Sequence, residues 1–150
     1  MNQFEIDAIV EIPRESMYKY EVDKKTGILL VDRPLSRPVP FNYGYVPGTL
    51  HNDGDPLDIF LIGNYPIYPL AQVKAKILGA LICNDNGSSD DKLIAEVVGD
   101  KYNYLDSAKE VITNYLTTYK EGFIVDKFVD AEEAYRILMK DVEAYLNDET

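Results

Sequence analysis

Apolar and polar side chains alternate with a period of two through the earlier part of the chain, and a helical period replaces this near its end. Phe4, Ile6, Ala8 and Val10 alternate with Glu5, Asp7 and Ile9, which predicts a strand over 4–12 that Pro13 closes. A second strand is expected over 17–22, with Lys19 and Glu21 on one face. Asp23-Lys24-Lys25-Thr26-Gly27 reads as a hairpin turn into a third strand over 28–31. Pro34, Pro38 and Pro40 make the following segment irregular until an extended aromatic pattern resumes over 41–46. Apolar runs at 57–62 and 92–98 and an alternation of Val73, Ala75 and Ile77 with Gln72, Lys74 and Lys76 predict three more strands. Two helices then end the chain. The first carries a Ser107-x-x-Glu110 capping box and a stripe of Val111, Ile112, Tyr115, Leu116 and Tyr119. The second carries Asp130-x-x-Glu133 and a stripe of Ala134, Tyr135, Leu138, Val142 and Tyr145. Residues 147–150 are expected to fray. Strands followed by helices imply an α+β fold: a small closed or highly curled antiparallel β-barrel (OB-like) with two flanking C-terminal helices.

Composition narrows this picture. With 150 residues, 46% of them hydrophobic, residues 1–150 are expected to form a single domain. The N-terminal residues lack a basic and then apolar leader, and no apolar run reaches the length of a membrane span, so a soluble, cytoplasmic protein is expected. The one cysteine, Cys83, excludes an intramolecular disulfide and a cysteine-based metal site, and beside Leu81 and Ile82 it reads as a small buried hydrophobe. A formal charge of −11 argues against nucleic-acid and anionic-membrane partners. Several bound divalent cations would offset some of that excess.

The charge is most crowded at Asp53-Gly54-Asp55-Pro56-Leu57-Asp58. Three carboxylates this close repel one another unless a cation sits between them. Gly54 and Pro56 mark a tight turn that can point Asp53 and Asp55 into one space, while Asp58 lies on the departing strand, opposite to Leu57, Ile59 and Leu61. Hard oxygen donors without Cys or His suit Mg²⁺, Mn²⁺ or Ca²⁺ rather than zinc. An EF-hand loop counted from Asp53 fails, because its sixth position is Asp58 where Gly is needed and its twelfth is Asn64 where Glu is needed. The bland alternative for an isolated Asp-Gly-Asp is a solvated turn. Acids Glu11, Glu21, Asp32, Asp85 and Asp90 and bases Lys19, Arg33, Lys92 and Lys120 also end strands or occupy loops. A cleft of such mixed charge would hold hard metals together with a multiply charged phosphate compound. Asp91 reads as a solvated neighbour of Asp90, and His51 as a surface turn residue.

The acidic stretch resembles the signature of soluble family I inorganic pyrophosphatases. Glu11-Ile-Pro, Lys19-Tyr-Glu21, Val31-Asp-Arg33, Asn42-Tyr-Gly-Tyr45, the loop from Asp85 to Lys92, and Tyr119-Lys120 resemble that family's blocks in order and spacing. The resemblance implies Mg²⁺-dependent hydrolysis of inorganic pyrophosphate to two orthophosphates by a metal-activated water, with Mn²⁺ or another hard divalent cation as a possible substitute. Carried over by position, Asp53, Asp58 and Asp90 would ligate the first metal. Asp58 would also reach a second, Asp85 with Asp90 would hold metal arriving with substrate, and Glu11, Glu21 and Asp32 would form an outer ring acting through water. Lys19, Arg33, Lys92, Tyr119 and Lys120 would hold the phosphoryl groups, Tyr43 would lie close to the reacting centre, and Asp55 would be the general base. Two other readings stay open: a metal-dependent hydrolase of a nucleotide or short polyphosphate, and a non-catalytic divalent-cation-binding β-barrel. Bacterial relatives are commonly hexamers, often with histidines on the first helix where this chain has Asn114 and Thr118, so a homo-oligomer, hexamer first, is expected.

Overall fold

The computed structural model describes residues 4–148. Nine strands and two helices follow in the order β1 (Glu5–Ile12), β2 (Tyr18–Val22), β3 (Leu29–Pro34), β4 (Asn42–Tyr45), β5 (Asp58–Ile62), β6 (Gln72–Asp85), β7 (Ser88–Ser89), β8 (Lys92–Val97), α1 (Leu105–Tyr119), β9 (Phe123–Asp130) and α2 (Ala131–Asp148). The main sheet runs β1-β4-β5-β8-β6, and β1 also pairs with β6, which brings the path back to its start. Closure is uneven. Glu5 to Ile9 of β1 face β6, and the strand passes to β4 at Ile9. Gly44 makes that second pairing possible, because a Cβ there would overlap the Ile9 carbonyl oxygen. The barrel-like α+β architecture agrees with the expectation from the sequence, and β2 and β3 form a separate antiparallel hairpin.

Four local features differ from the sequence reading. β5 and β8 pair in parallel, so the sheet is mixed rather than wholly antiparallel. β9 lies between the helices and pairs along β6, where no strand is expected. α1 starts at Leu105, after Tyr104, with no side-chain cap; Ser107 is inside the helix. Of the tail expected to fray, Asn147 and Asp148 close α2, and 149–150 lie outside the described residues.

β5 is buried on both faces. Leu57, Ile59 and Leu61 enter a cluster that includes Ala134 and Leu138 of α2, whereas Phe60 and Ile62 enter one that includes Ala108, Ile112 and Leu116 of α1. Burying a side chain such as Phe60 contributes about 1.5–3 kcal/mol, which makes this strand an anchor for whatever its ends carry. Asp58 lies at one of those ends, on the face of Phe60. Among the described residues no helix is long and apolar enough to cross a membrane.

Candidate active site

The acidic turn forms because its own backbone closes it. His51 N–H donates to the Asp55 carbonyl at 2.8 Å, Gly54 N–H donates to the His51 carbonyl at 3.0 Å, and the Asp53 carboxylate accepts Asp55 N–H at 3.0 Å. Gly54 has φ +87°, a backbone region that residues with a Cβ rarely occupy. Below the turn, Thr49 Oγ1 accepts Leu57 N–H at 2.9 Å and donates to the Val46 carbonyl at 2.5 Å, so the loop is pinned where it joins β5.

This turn overhangs a cleft of about 720 Å³. Glu11, Lys19, Glu21, Tyr43, Asp53, Asp55, Asp58, Asp85, Asp90, Lys92, Tyr119 and Lys120 all line it. They come from β1, β2, β4, the acidic turn, β5, the end of β6, the loop between β7 and β8, the start of β8, and the end of α1 with the residue after it. Asp32 and Arg33 do not line the cleft. They sit on β3 at a register shift, where Asp32 bridges Lys19 at 3.2 Å and Arg33 at 3.5 Å, so both belong to its rim through Lys19. Lys24 also lines the cleft, although the sequence reading assigns it only to a turn. It donates to Glu11 Oε2 at 2.9 Å and lies over the Tyr45 ring.

One carboxylate oxygen from each of Asp53, Asp58 and Asp90 lies within 4.8 Å of the others. Oxygens ligating a common ion at 2.0–2.6 Å stand at most about 4–5 Å apart, so these three acids fit a hard divalent cation. Lys92, buried at the start of β8, donates from Nζ to Asp58 at 2.6 Å, to Tyr43 Oη at 2.8 Å and to Asp90 at 3.1 Å. Burial by itself would lower the Lys92 pKa, but the Tyr43 oxygen and the Asp58 and Asp90 carboxylates more than offset it and hold the ammonium charged. Burial, then the Asp58 charge, pushes the Tyr43 hydroxyl well above its ordinary value and keeps it a proton donor. Burial and neighbouring acids raise Asp53 and Asp90, in Asp90 against the pull of Lys92. Crowded acids whose protonation is favoured in this way also gain most from a cation. Across the cleft, Lys120 donates to Asp85 at 2.6 Å and holds its carboxyl below the usual range, helped by Asn86.

Two residues differ from their sequence reading. His51 is buried rather than on a surface turn: Nδ1 lies 2.6 Å from Asp141 Oδ2 of α2, and Nε2 lies 3.3 Å from Asp91 N. Asp91 is not a solvated neighbour, since its carboxylate accepts Cys83 N–H at 2.9 Å. A signal for this pairing existed in α2. Asp141 continues the buried stripe of Ala134 and Leu138, and an acid on an apolar stripe needs a partner.

The family model described as inorganic pyrophosphatase matches residues 8–146. The soluble inorganic pyrophosphatase 2 of Chlamydomonas reinhardtii is 37% identical over 93% of this chain and 80% of its own length. The inorganic pyrophosphatase of Xanthomonas campestris is 37% identical over 96% of this chain and 91% of its own. The solved inorganic pyrophosphatase of Helicobacter pylori superimposes with a TM-score of 0.90 at 32% identity, covering 97% of this chain and 95% of that one. With a family model spanning nearly the whole chain and relatives of this similarity, the chain belongs to the soluble family I inorganic pyrophosphatases.

Proposed function

We propose that this chain hydrolyses inorganic pyrophosphate to two orthophosphates with Mg²⁺, and that Asp55 is the general base. The observation that carries the reading is the convergence of Asp53, Asp58 and Asp90 on one wall of a cleft that Lys19, Lys92 and Lys120 also line. Asp53, Asp58 and Asp90 would hold a first cation, Asp58 would share a second, and Asp85 with Asp90 would receive cation arriving with substrate. When bound, Mg²⁺ would supply positive charge to the phosphoryl oxygens and lower the pKa of the attacking water. Asp55, exposed at the tip of the turn, takes one proton from the attacking water as its oxygen bonds to one phosphorus and the bridging P–O bond breaks. Lys19, Arg33, Lys92, Tyr119 and Lys120 bind the two phosphoryl groups and neutralise the charge that the leaving phosphate develops. Tyr43, held neutral, accepts from Lys92 Nζ at 2.8 Å and orients that ammonium beside the reacting centre. Glu11, Glu21 and Asp32 act at longer range through water; Glu11 also joins β1 to the β2–β3 hairpin through Val22 N–H and Lys24.

Phosphate release from pyrophosphate, ATP and tripolyphosphate, with Mg²⁺ and with chelator, tests this reading on wild type and Asp55→Asn. Rapid release from pyrophosphate under Mg²⁺, with a severe loss in the variant, is the expected result. A preference for ATP or tripolyphosphate would move the substrate to a longer phosphoanhydride, and cation binding without turnover would leave a non-catalytic barrel. A cytoplasmic homo-oligomer, hexamer first, completes the proposal, and light scattering on the purified protein reads its assembly.

A further inference from the structure

We propose that His51 and Asp141 form a positioning pair that joins the two halves of the cation site to α2, so that Asp53 and Asp90 meet at ligating distance before any cation arrives. This inference rests on the cation-site reading above. The two halves come from different parts of the chain: Asp53 from the turn after β4, and Asp90 from the loop between β7 and β8. Both carry negative charge, so their mutual repulsion drives them apart. Asn52 Nδ2 adds a 3.4 Å contact to Ser89 Oγ, and among the described residues His51 contacts the segments that bear them, through Asp55 and Gly54 on one side and Asp91 and Ser89 on the other.

Its backbone closes the acidic turn through Asp55 and Gly54. Its ring faces the other loop, with Nε2 3.3 Å from Asp91 N, the residue next to Asp90, and 3.4 Å from Ser89 Oγ. The ring is fixed from behind by Asp141, whose Oδ2 lies 2.6 Å from Nδ1, while Nε2 faces Asp91 through both its backbone N at 3.3 Å and its Oδ2 at 3.5 Å. Leu50 N–H donates to the Asp141 carbonyl at 3.0 Å, so α2 grips this segment twice. Asp141 is 2% exposed and His51 5%. A buried carboxylate without a partner is costly, so one on the packed face of α2 stays in place only while the imidazole meets it.

A pair of this kind acts on cation affinity. Groups that orient metal ligands without touching the ion commonly contribute roughly 10–100-fold to affinity or activity, because a preformed site pays less ordering cost when the ion binds. Calorimetric titration of metal-free protein with Mn²⁺ provides the test, on wild type, Asp53→Asn, Asp141→Leu, Asp141→Asn and His51→Gln. Circular dichroism confirms that each variant is folded. The expected result is a roughly 10–100-fold weaker Mn²⁺ affinity in Asp141→Leu. His51→Gln should be weakened as well, since its amide can accept Asp91 N–H but cannot reach Asp141. Asp141→Asn keeps the volume and one acceptor and should recover part of the affinity; it carries the comparison if Asp141→Leu does not fold. KM for pyrophosphate at saturating Mg²⁺ should stay near that of wild type, because the bases that hold substrate are untouched. Folded Asp141 and His51 variants with wild-type Mn²⁺ affinity would overturn the positioning role and leave the hydrolase reading intact. Failure of wild type to bind Mn²⁺, or binding that Asp53→Asn does not weaken, would overturn the cation site itself and this inference with it.

Discussion

Lys92 shows how much of the site's behaviour is set by single residues. Its ammonium is the cation among Asp58, Asp90 and Tyr43 in a poorly hydrated position, and removing one partner from such a cluster leaves uncompensated charge. Lys92→Met should therefore lower the stability of metal-free protein by about 3 kcal/mol, read from urea unfolding, and added Mg²⁺ should recover part of the loss. Burial pushes the Cys83 thiol up to about 12, with the Lys92 charge opposing. At pH 8 the native thiol stays protonated and shielded, so its reaction with iodoacetamide should be slow until the protein is denatured. Gly44 is constrained by packing. Gly44→Ala would place a methyl group against the Ile9 carbonyl and should cost at least about 1–3 kcal/mol, measured in the same way.

At the scale of elements, capping separates the two helices. Asp130 accepts Glu133 N–H at 3.0 Å at the start of α2, as the capping box predicts, whereas α1 has no side-chain cap. Asp130→Ala should cost about 1 kcal/mol, and Ser107→Ala should change thermal unfolding little, because Ser107 lies inside α1. The strands at 4–12, 17–22 and 41–46 were legible from their alternation and those at 57–62 and 92–98 as short apolar runs, even where the pairing shifts between Val10 and Ile12 and between Lys19 and Tyr20. β6 was legible only as far as Ile77, because the register shifts between Ile77 and Gly79 and breaks the alternation. β9 was missed for a similar reason: a shift opposite Ile82 and Cys83 and a half-exposed surface leave Phe123, Val125 and Phe128 without a regular period.

For the molecule as a whole, the −11 charge and the acid-lined cleft predict that stability follows cation occupancy. A cation at one hundred times its Kd should add about 2.7 kcal/mol, and a chelator should lower Tm by the corresponding amount. One calorimetric transition is expected if residues 1–150 fold as a single unit. Most of the site was also legible in the sequence, because carboxylates and bases at strand ends declare their chemistry wherever they stand. Asp32 and Arg33 are the instructive cases: their residue types suit the site, but the bulge on β3 puts them at its rim.

By itself the sequence determined the strand and helix periods, the excess of acid, the turn that presents Asp53 and Asp55, and the family to which those blocks belong. All of these are written in neighbouring residues. Only the tertiary structure decided that β5 and β8 run parallel, that β9 completes the sheet, and that His51 meets Asp141. Such pairings join residues far apart along the chain, and a contact of that kind depends on how whole elements pack, for which local alternation carries no record.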